Sequence, residues 1–252
     1  MKILDKYLGD HDHIELYPVS DLHLGSNLCD LGRFRDFTTM IMQEPNRYII
    51  VNGDMINNNM AGAVGTPWED IISPSEQKKA IKKELLPLKD RIIVMISGNH
   101  ERRTKKANDE NPLEDVAEYL GVPYREEDCY IKLSFGKDNH NKRISYLIYV
   151  IHGAGGGKRP GASLNNIESL SLNAYAEIYI MGHVHKKTAH KALYYMPDPY
   201  NNNLREIEQL YVISSSWQSY GGYGKLKMMR PSVLGSVPIY LDGRRKYYEA
   251  RV

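Results

Sequence analysis

Ile92-Ile93-Val94-Met95-Ile96-Ser97-Gly98-Asn99-His100-Glu101 is an apolar, β-branched run that stops at two small residues and a cluster of polar side chains. It predicts a buried strand whose carboxyl end delivers Asn99 and His100 to a surface. Four other stretches follow the same plan. Leu16-Tyr17-Pro18-Val19-Ser20 leads to Asp21 and His23, and Tyr48-Ile49-Ile50-Val51-Asn52-Gly53 leads to Asp54. Tyr146-Leu147-Ile148-Tyr149-Val150-Ile151 leads to His152, and Ile178-Tyr179-Ile180-Met181-Gly182 leads to His183 and His185. Ligands of open α/β sheets bind beyond the carboxyl ends of the strands, so these arrivals imply one shared site dense in Asp, Asn and His.

The chain has 252 residues, 42% of them hydrophobic, enough for a core of its own. Because the strands are spread from end to end, a single domain over residues 1–252 is expected, with strands in 188–252 completing the second sheet. A net charge of +2 argues against a protein coated in nucleic acid but leaves room for local basic patches. Only Cys29 and Cys129 occur, without a CxxC or Cys/His ligand spacing, so a reduced cytoplasmic protein is expected. Residues 1–13 carry Asp5, Asp10 and Asp12 and no apolar core, which reads as neither a signal peptide nor a membrane anchor.

Between the strands, Phe34, Phe37 and Ile41 recur at helical intervals over residues 31–43. Ser73-Pro74-Ser75-Glu76 has the form of a capping box with proline in the first turn, and predicts a helix to Leu85 or Leu86. Another helix is expected from Asn111-Pro112 to Leu120, with Gly121 closing it. Strands over 130–135 and 144–151, joined by a polar turn, should pair antiparallel. Residues 165–175 read as helical, and 188–195, 206–213 and 237–248 as strands. The aperiodic loop 57–68 starts beside Asp54 and reads as substrate-facing or as an interface.

The clustered side chains define a chemistry. Imidazoles and carboxylates with no thiolate suit divalent transition metals. Asp21-x-His23 and His183-x-His185 each put two side chains two apart just past a strand, where both can point to one side. Asp54 can bridge two ions and Asn99 can offer an amide oxygen. With His152 the candidate ligands are Asp21, His23, Asp54, Asn99, His152, His183 and His185, more than one open centre needs and suitable for two. Two ions about 3.5–4 Å apart clamp the attacking and leaving oxygens of displacement at phosphorus and supply hydroxide between them. His100 is surplus to that coordination and is the candidate proton donor to the leaving oxygen, with Glu101 either orienting it or forming an exposed salt bridge. A lone histidine of this kind would read as a strand cap; the ordered set does not.

The ordered series Asp21-x-His23, Gly53-Asp54, Gly98-Asn99-His100-Glu101, His152 and Gly182-His183-x-His185 resembles the calcineurin-like metallophosphoesterase family, in its stand-alone bacterial or phage form. The resemblance implies an α/β fold, a four-layer α/β/β/α sandwich with two mixed central sheets. It also implies that Asp21, His23, Asp54 and His185 hold one metal, that Asp54, Asn99, His152 and His183 hold the other, and that His100 is the acid. Manganese is the leading expectation, and iron, zinc, cobalt or nickel also suit the donors. The family's protein phosphatases follow Gly-Asp with a further Asp-Arg-Gly, where this chain has Met55-Ile56-Asn57-Asn58-Asn59, which speaks against a phosphoserine substrate.

Basic residues flank the ligand loops: Arg102, Arg103, Lys105 and Lys106, then Lys158 and Arg159, then Lys186 and Lys187. They would attract a phosphorylated anion, and Arg103 is the candidate substrate contact. Trp217, Tyr220 and Tyr223 read as packing residues first and as a base-stacking platform second. The expected activity is hydrolysis of a phosphodiester, nucleotide or nucleic acid, by metal-bridging hydroxide. The alternatives are a phosphomonoesterase, or a non-catalytic metal-binding interaction module of the same fold. Oligomeric state is left open.

Overall fold

The computed structural model describes residues 3–60, 67–157, 159–226 and 228–252. Its strands, in chain order, are Leu4–Tyr7 (β1), His13–Val19 (β2), Arg47–Asn52 (β3), Ile92–Ile96 (β4), Tyr124–Arg125 (β5) and Asp128–Lys137 (β6). Arg143–Ile151 (β7), Ile178–Met181 (β8), Thr188–Asp198 (β9), Asn203–Ile213 (β10), Ile239–Asp242 (β11) and Tyr248–Ala250 (β12) follow. They form two six-stranded sheets, ordered β1-β6-β7-β8-β10-β9 and β12-β11-β2-β3-β4-β5. Both mix parallel and antiparallel pairs.

Alternation within the apolar runs builds the layers. Ile14, Leu16, Ile50, Ile93 and Ile96 from one sheet meet Ile131, Leu133, Tyr146, Ile148, Ile178 and Val212 from the other in a buried inner core. The neighbouring positions Tyr17, Val19, Ile49, Val51 and Met95 face outward and are covered by helices. Those helices are Leu31–Gln43 (α1), Pro74–Leu85 (α2) and, beyond Asn99–Asn108 (α3), Pro112–Leu120 (α4). On the far side Tyr149, Tyr179, Met181 and Tyr211 pack beneath Pro160–Glu168 (α5) through Ile167. The result is the expected α/β/β/α sandwich with strands buried on both faces.

The helices start where their caps demand. The Asp30 carboxylate accepts from the Arg33 amide at 2.9 Å, and Ser73 with Glu76 forms the full capping box of α2. α4 opens on Asn111 and ends at Gly121, whose φ of 69° suits a residue without Cβ.

Two elements were not anticipated, β1 and α3, and two expectations need correction, the helix over 165–175 and the placing of the C-terminal strands. Leu4–Tyr7, in the stretch read as featureless, is a strand paired parallel with β6. The basic run after Asn99 is helix α3. The helix read over 165–175 begins at Pro160 and ends in a 3-10 turn, Ser169–Leu172. The C-terminal strands do not all enter one sheet: β9 and β10 extend the sheet of β7 and β8, whereas β11 and β12 extend the one holding β2. The expectation for loop 57–68 falls partly on residues 61–66, outside the described residues.

Candidate active site

Parallel β2, β3 and β4 in one sheet and parallel β7 and β8 in the other bring their carboxyl ends to the same place. Asp21, His23, Asp54, His183 and His185 have φ of 56°, 48°, 53°, 68° and 52°, a left-handed conformation that costs a non-glycine residue about 1–3 kcal/mol. Five such bends at three strand exits, after β2, β3 and β8, aim the side chains inward. Gly53, with φ 82°, and Gly98 lie so close that a Cβ on Gly98 would overlap the Asp54 carboxylate, so the ends of β3 and β4 meet backbone to backbone.

One half of the cluster is Asp21, His23 and His185. Asp21 Oδ1 is 3.1 Å from His185 Nε2, and His185 Nε2 is 3.2 Å from His23 Nε2. The other half is Asp54, Asn99, His152 and His183: Asp54 Oδ2 and Asn99 Oδ1 each lie 3.2 Å from His152 Nε2, and Asn99 Oδ1 lies 2.8 Å from His183 Nδ1. Asp54 Oδ2 joins the halves, 4.0 Å from His23 Nε2. All seven side chains singled out by the ligand pattern therefore converge.

The surroundings orient these donors. His152 Nδ1 donates to the Asn52 carbonyl at 2.7 Å and His23 Nδ1 to Asn57 Oδ1 at 3.2 Å, which turns each Nε2 toward the cluster and leaves the His23 Nε2 lone pair facing it. Asp21 Oδ2 accepts from Ser20 and from the His183 amide, whereas Asp21 Oδ1 is buried, makes no hydrogen bond among the described residues, and faces the His185 and His23 Nε2 atoms. An orphaned carboxylate oxygen beside facing imidazole lone pairs fits a cation. Among the described residues three groups could hold a metal: Asp21, His23 and His185; Asp54, His152 and His183; and His23, Asp54 and His100.

His100 stands at the rim, its Nε2 3.9 Å from Asp54 Oδ2 and 3.0 Å from Arg103 Nη2, its Nδ1 2.5 Å from the Asn57 carbonyl. Glu101 does not orient it. The Glu101 carboxylate is fully buried and accepts from the amides of Asp54, Met55, Ile56 and Gly98, which pins the Asp54 loop to the start of α3. Sequence reading missed Asn57, which touches both His23 and His100.

Of the basic flanks, Arg103 reaches His100. Arg102 turns to the carbonyls of Ser97 and Glu126, Lys105 pairs with Asp109, and Lys186 ties down Gly157, Arg159 and Ser163. Lys158 lies outside the described residues. Trp217 is buried against Phe34 and Phe37, so it packs the core and offers no face for stacking.

Charge follows from the packing. Burial alone would raise the Asp54 carboxyl, but the imidazole of His152, then those of His100 and His23, hold it well below the usual carboxylate range. Burial opposes protonation of His152, yet the Asp54 carboxylate outweighs it and pushes the imidazole up to about 10. Burial, the His23 ring and Arg103 push His100 down to about 3 against the pull of Asp54.

A family description of calcineurin-like phosphoesterases matches residues 18–214, a span that contains all seven converging side chains and His100. The chain belongs to the calcineurin-like phosphoesterase family. Calcineurin-like phosphoesterases bind divalent metal ions, and the His/Asp groups above could hold them. The chain is similar to the solved calcineurin-like phosphoesterase YfkN from Bacillus subtilis, at 14% identity and TM-score 0.43 over 94% of this chain and 88% of that one. It is similar to a Vps29 mutant from Entamoeba histolytica at 14% identity and TM-score 0.42, over 92% and 87% of the two chains. A conserved protein from Streptococcus pneumoniae is similar at 13% identity and TM-score 0.39, over 95% and 98%. No curated protein matches. Among the described residues no helix is long and apolar enough to cross a membrane.

Proposed function

We propose that this chain is a phosphoric ester hydrolase whose seven-residue cluster holds two divalent cations, with phosphodiesters, nucleotide or nucleic acid, as its substrate class. The observation behind this is the 3.2 Å approach of His23 Nε2 to His185 Nε2 beside the orphaned Asp21 oxygen. With its Nδ1–H given to Asn57, His23 presents a lone pair there, and such a set of converging donors suits a cation. Bound cations, manganese foremost, would supply Lewis-acid charge at the phosphoryl oxygens and lower the pKa of the attacking water.

The chain's own groups do the rest. Asp54 lies between the halves and would share its carboxylate between both ions. Arg103, half-buried with Nη2 on His100 Nε2, would turn to the arriving anion. That movement frees Nε2, and the Asn57 carbonyl on Nδ1 favours the charged imidazole, so His100 can take a proton from solvent at Nε2 and hand it to the leaving oxygen. A single guanidinium at the rim matches the single charge of a diester. Two free cysteines support a reducing, cytoplasmic setting.

The test is hydrolysis of a bis-aryl phosphodiester, an aryl monoester and single-stranded DNA with manganese, by the wild type and Asp54→Asn. Diester turnover lost in Asp54→Asn supports the reading. Monoester turnover alone replaces it with a phosphatase. Equal inertness of both proteins across metals leaves a non-catalytic module.

A further inference from the structure

We propose that Asp70 is a positioning residue for this centre: its carboxylate orients the side chains of Asn57 and Asn59, and through them sets the ring tautomer of His23 and the direction of Arg103. The inference rests on the reading of His23 as a ligand and His100 as proton donor.

Asp70 sits half-buried at a bridge to Ser26, between the asparagine run and the cap of α2. Its Oδ1 accepts from Asn57 Nδ2 at 2.6 Å and Asn59 Nδ2 at 3.0 Å, and its Oδ2 from the Asn59 amide at 3.2 Å and Gln77 Nε2 at 2.7 Å. An ionised carboxylate only accepts, so it selects the NH₂ end of each asparagine and turns the C=O end outward. The two arms that leave it are therefore polarised.

In the first arm, Asn57 Oδ1 faces His23 Nδ1 at 3.2 Å. An acceptor there requires the proton on Nδ1, which leaves the Nε2 lone pair aimed at the cluster. A flipped Asn57 amide would present N–H to the ring and favour the opposite tautomer, with the proton on Nε2 where a cation must bind. In the second arm, Asn59 Oδ1 accepts from Arg103 Nη1 at 3.0 Å, and Arg103 Nη2 reaches His100 Nε2. One carboxylate outside the cluster thus fixes the hydrogen-bond direction at two of its rings. Gln77 anchors the carboxylate from behind and also accepts the Asn58 amide at 2.8 Å, which holds the run against α2.

A merely structural Asp70 would lower stability when replaced and leave the His23 tautomer alone. The experiment reads histidine ring ¹⁵N shifts of the cation-free full chain, and manganese affinity by calorimetry, for wild type, Asp70→Asn and Asn57→Leu. In Asp70→Asn an NH₂ group replaces one acceptor oxygen and repels the amides it faced; in Asn57→Leu the side-chain acceptor is gone while the main-chain carbonyl on His100 stays. Wild type should show His23 protonated at Nδ1. Both variants should show mixed or reversed His23 tautomers and bind manganese about 10- to 100-fold more weakly, the usual cost of losing an outer partner of a ligating histidine. In Asn57→Leu the His100 shifts should stay as in wild type. Should Asp70→Asn fail to fold, Asn57→Leu decides the first arm alone. Wild-type His23 shifts in either folded variant overturn the proposal. Wild type that turns over no ester removes the proposed function, and the ring shifts still decide the role of Asp70.

Discussion

His100 stands under opposed influences. Burial, the neighbouring His23 and Arg103 hold it neutral down to about pH 3, while Asp54 pulls the other way, so its acid form has to arise by uptake of a proton from solvent when the anionic ester arrives rather than be kept in store. Proton donation matters only when the leaving group is basic. His100→Gln is therefore expected to slow hydrolysis of an alkyl phosphodiester by about 10²–10⁴-fold and to change nitrophenolate release by less than about tenfold. Steady-state rates on the two esters with the same variant check this, and equal losses would remove the proton-donor role. The same neutrality bears on pH: activity on the alkyl ester should decline as pH rises, because fewer complexes then hold a proton on His100. The pH profile of His100→Gln should lack that limb.

At the scale of elements, the first turn of α3 works as a clamp. Glu101 takes four amide protons, three of them from the loop behind Asp54, in a site without water access. Glu101→Ala leaves those donors buried and unmatched, and should destabilise even the cation-free protein by about 3 kcal/mol or more, read by urea unfolding. An unchanged unfolding midpoint with lost activity would return Glu101 to a catalytic role. This clamp is where legibility ended. The pattern Gly98-x-x-Glu101 is a capping arrangement, but the unbroken run of charged or polar residues from Asn99 to Lys106 shows no apolar stripe, so α3 was not visible. Helix α1 was legible from its apolar stripe, and α2 and α4 because a side-chain cap preceded each of them. The five strand exits were legible because apolar runs ended on small or polar residues. β1 was not, since Leu4-Asp5-Lys6-Tyr7 is a short, half-exposed edge strand ordered by its partner β6. The ligand set could be read because each member follows a strand. Asn57 and Asp70 could not, because their roles exist only through side-chain hydrogen bonds between loops.

Across the whole molecule, the cluster is divided between the sheets. Asp21, His23, Asp54 and Asn99 follow strands of one, His152, His183 and His185 strands of the other, so a cation held by this cluster would cross-link two layers otherwise joined by the inner core. Binding to the folded chain alone adds about 2.7 kcal/mol at a hundredfold excess over Kd, or about 5–10 °C in Tm for a chain of this size. The pH dependence has a definite sign. His152 is held up to about 10 by Asp54 against an ordinary value of 6.5, so its proton stabilises the cation-free fold fully below about 6.5 and progressively less up to about 10. A cation must expel that proton to reach Nε2, so affinity should rise over the same window, by up to about tenfold per pH unit. Between pH 6.5 and 8.5 the cation-free Tm should therefore fall while the increment produced by a fixed manganese concentration grows, by about 3–5 °C per unit. Thermal unfolding with manganese and with chelator at several pH values measures both. In His152→Asn the fall in the cation-free Tm over this window should be smaller than in wild type. A manganese increment in wild type that is flat in pH would mean that His152 is already neutral before the cation arrives.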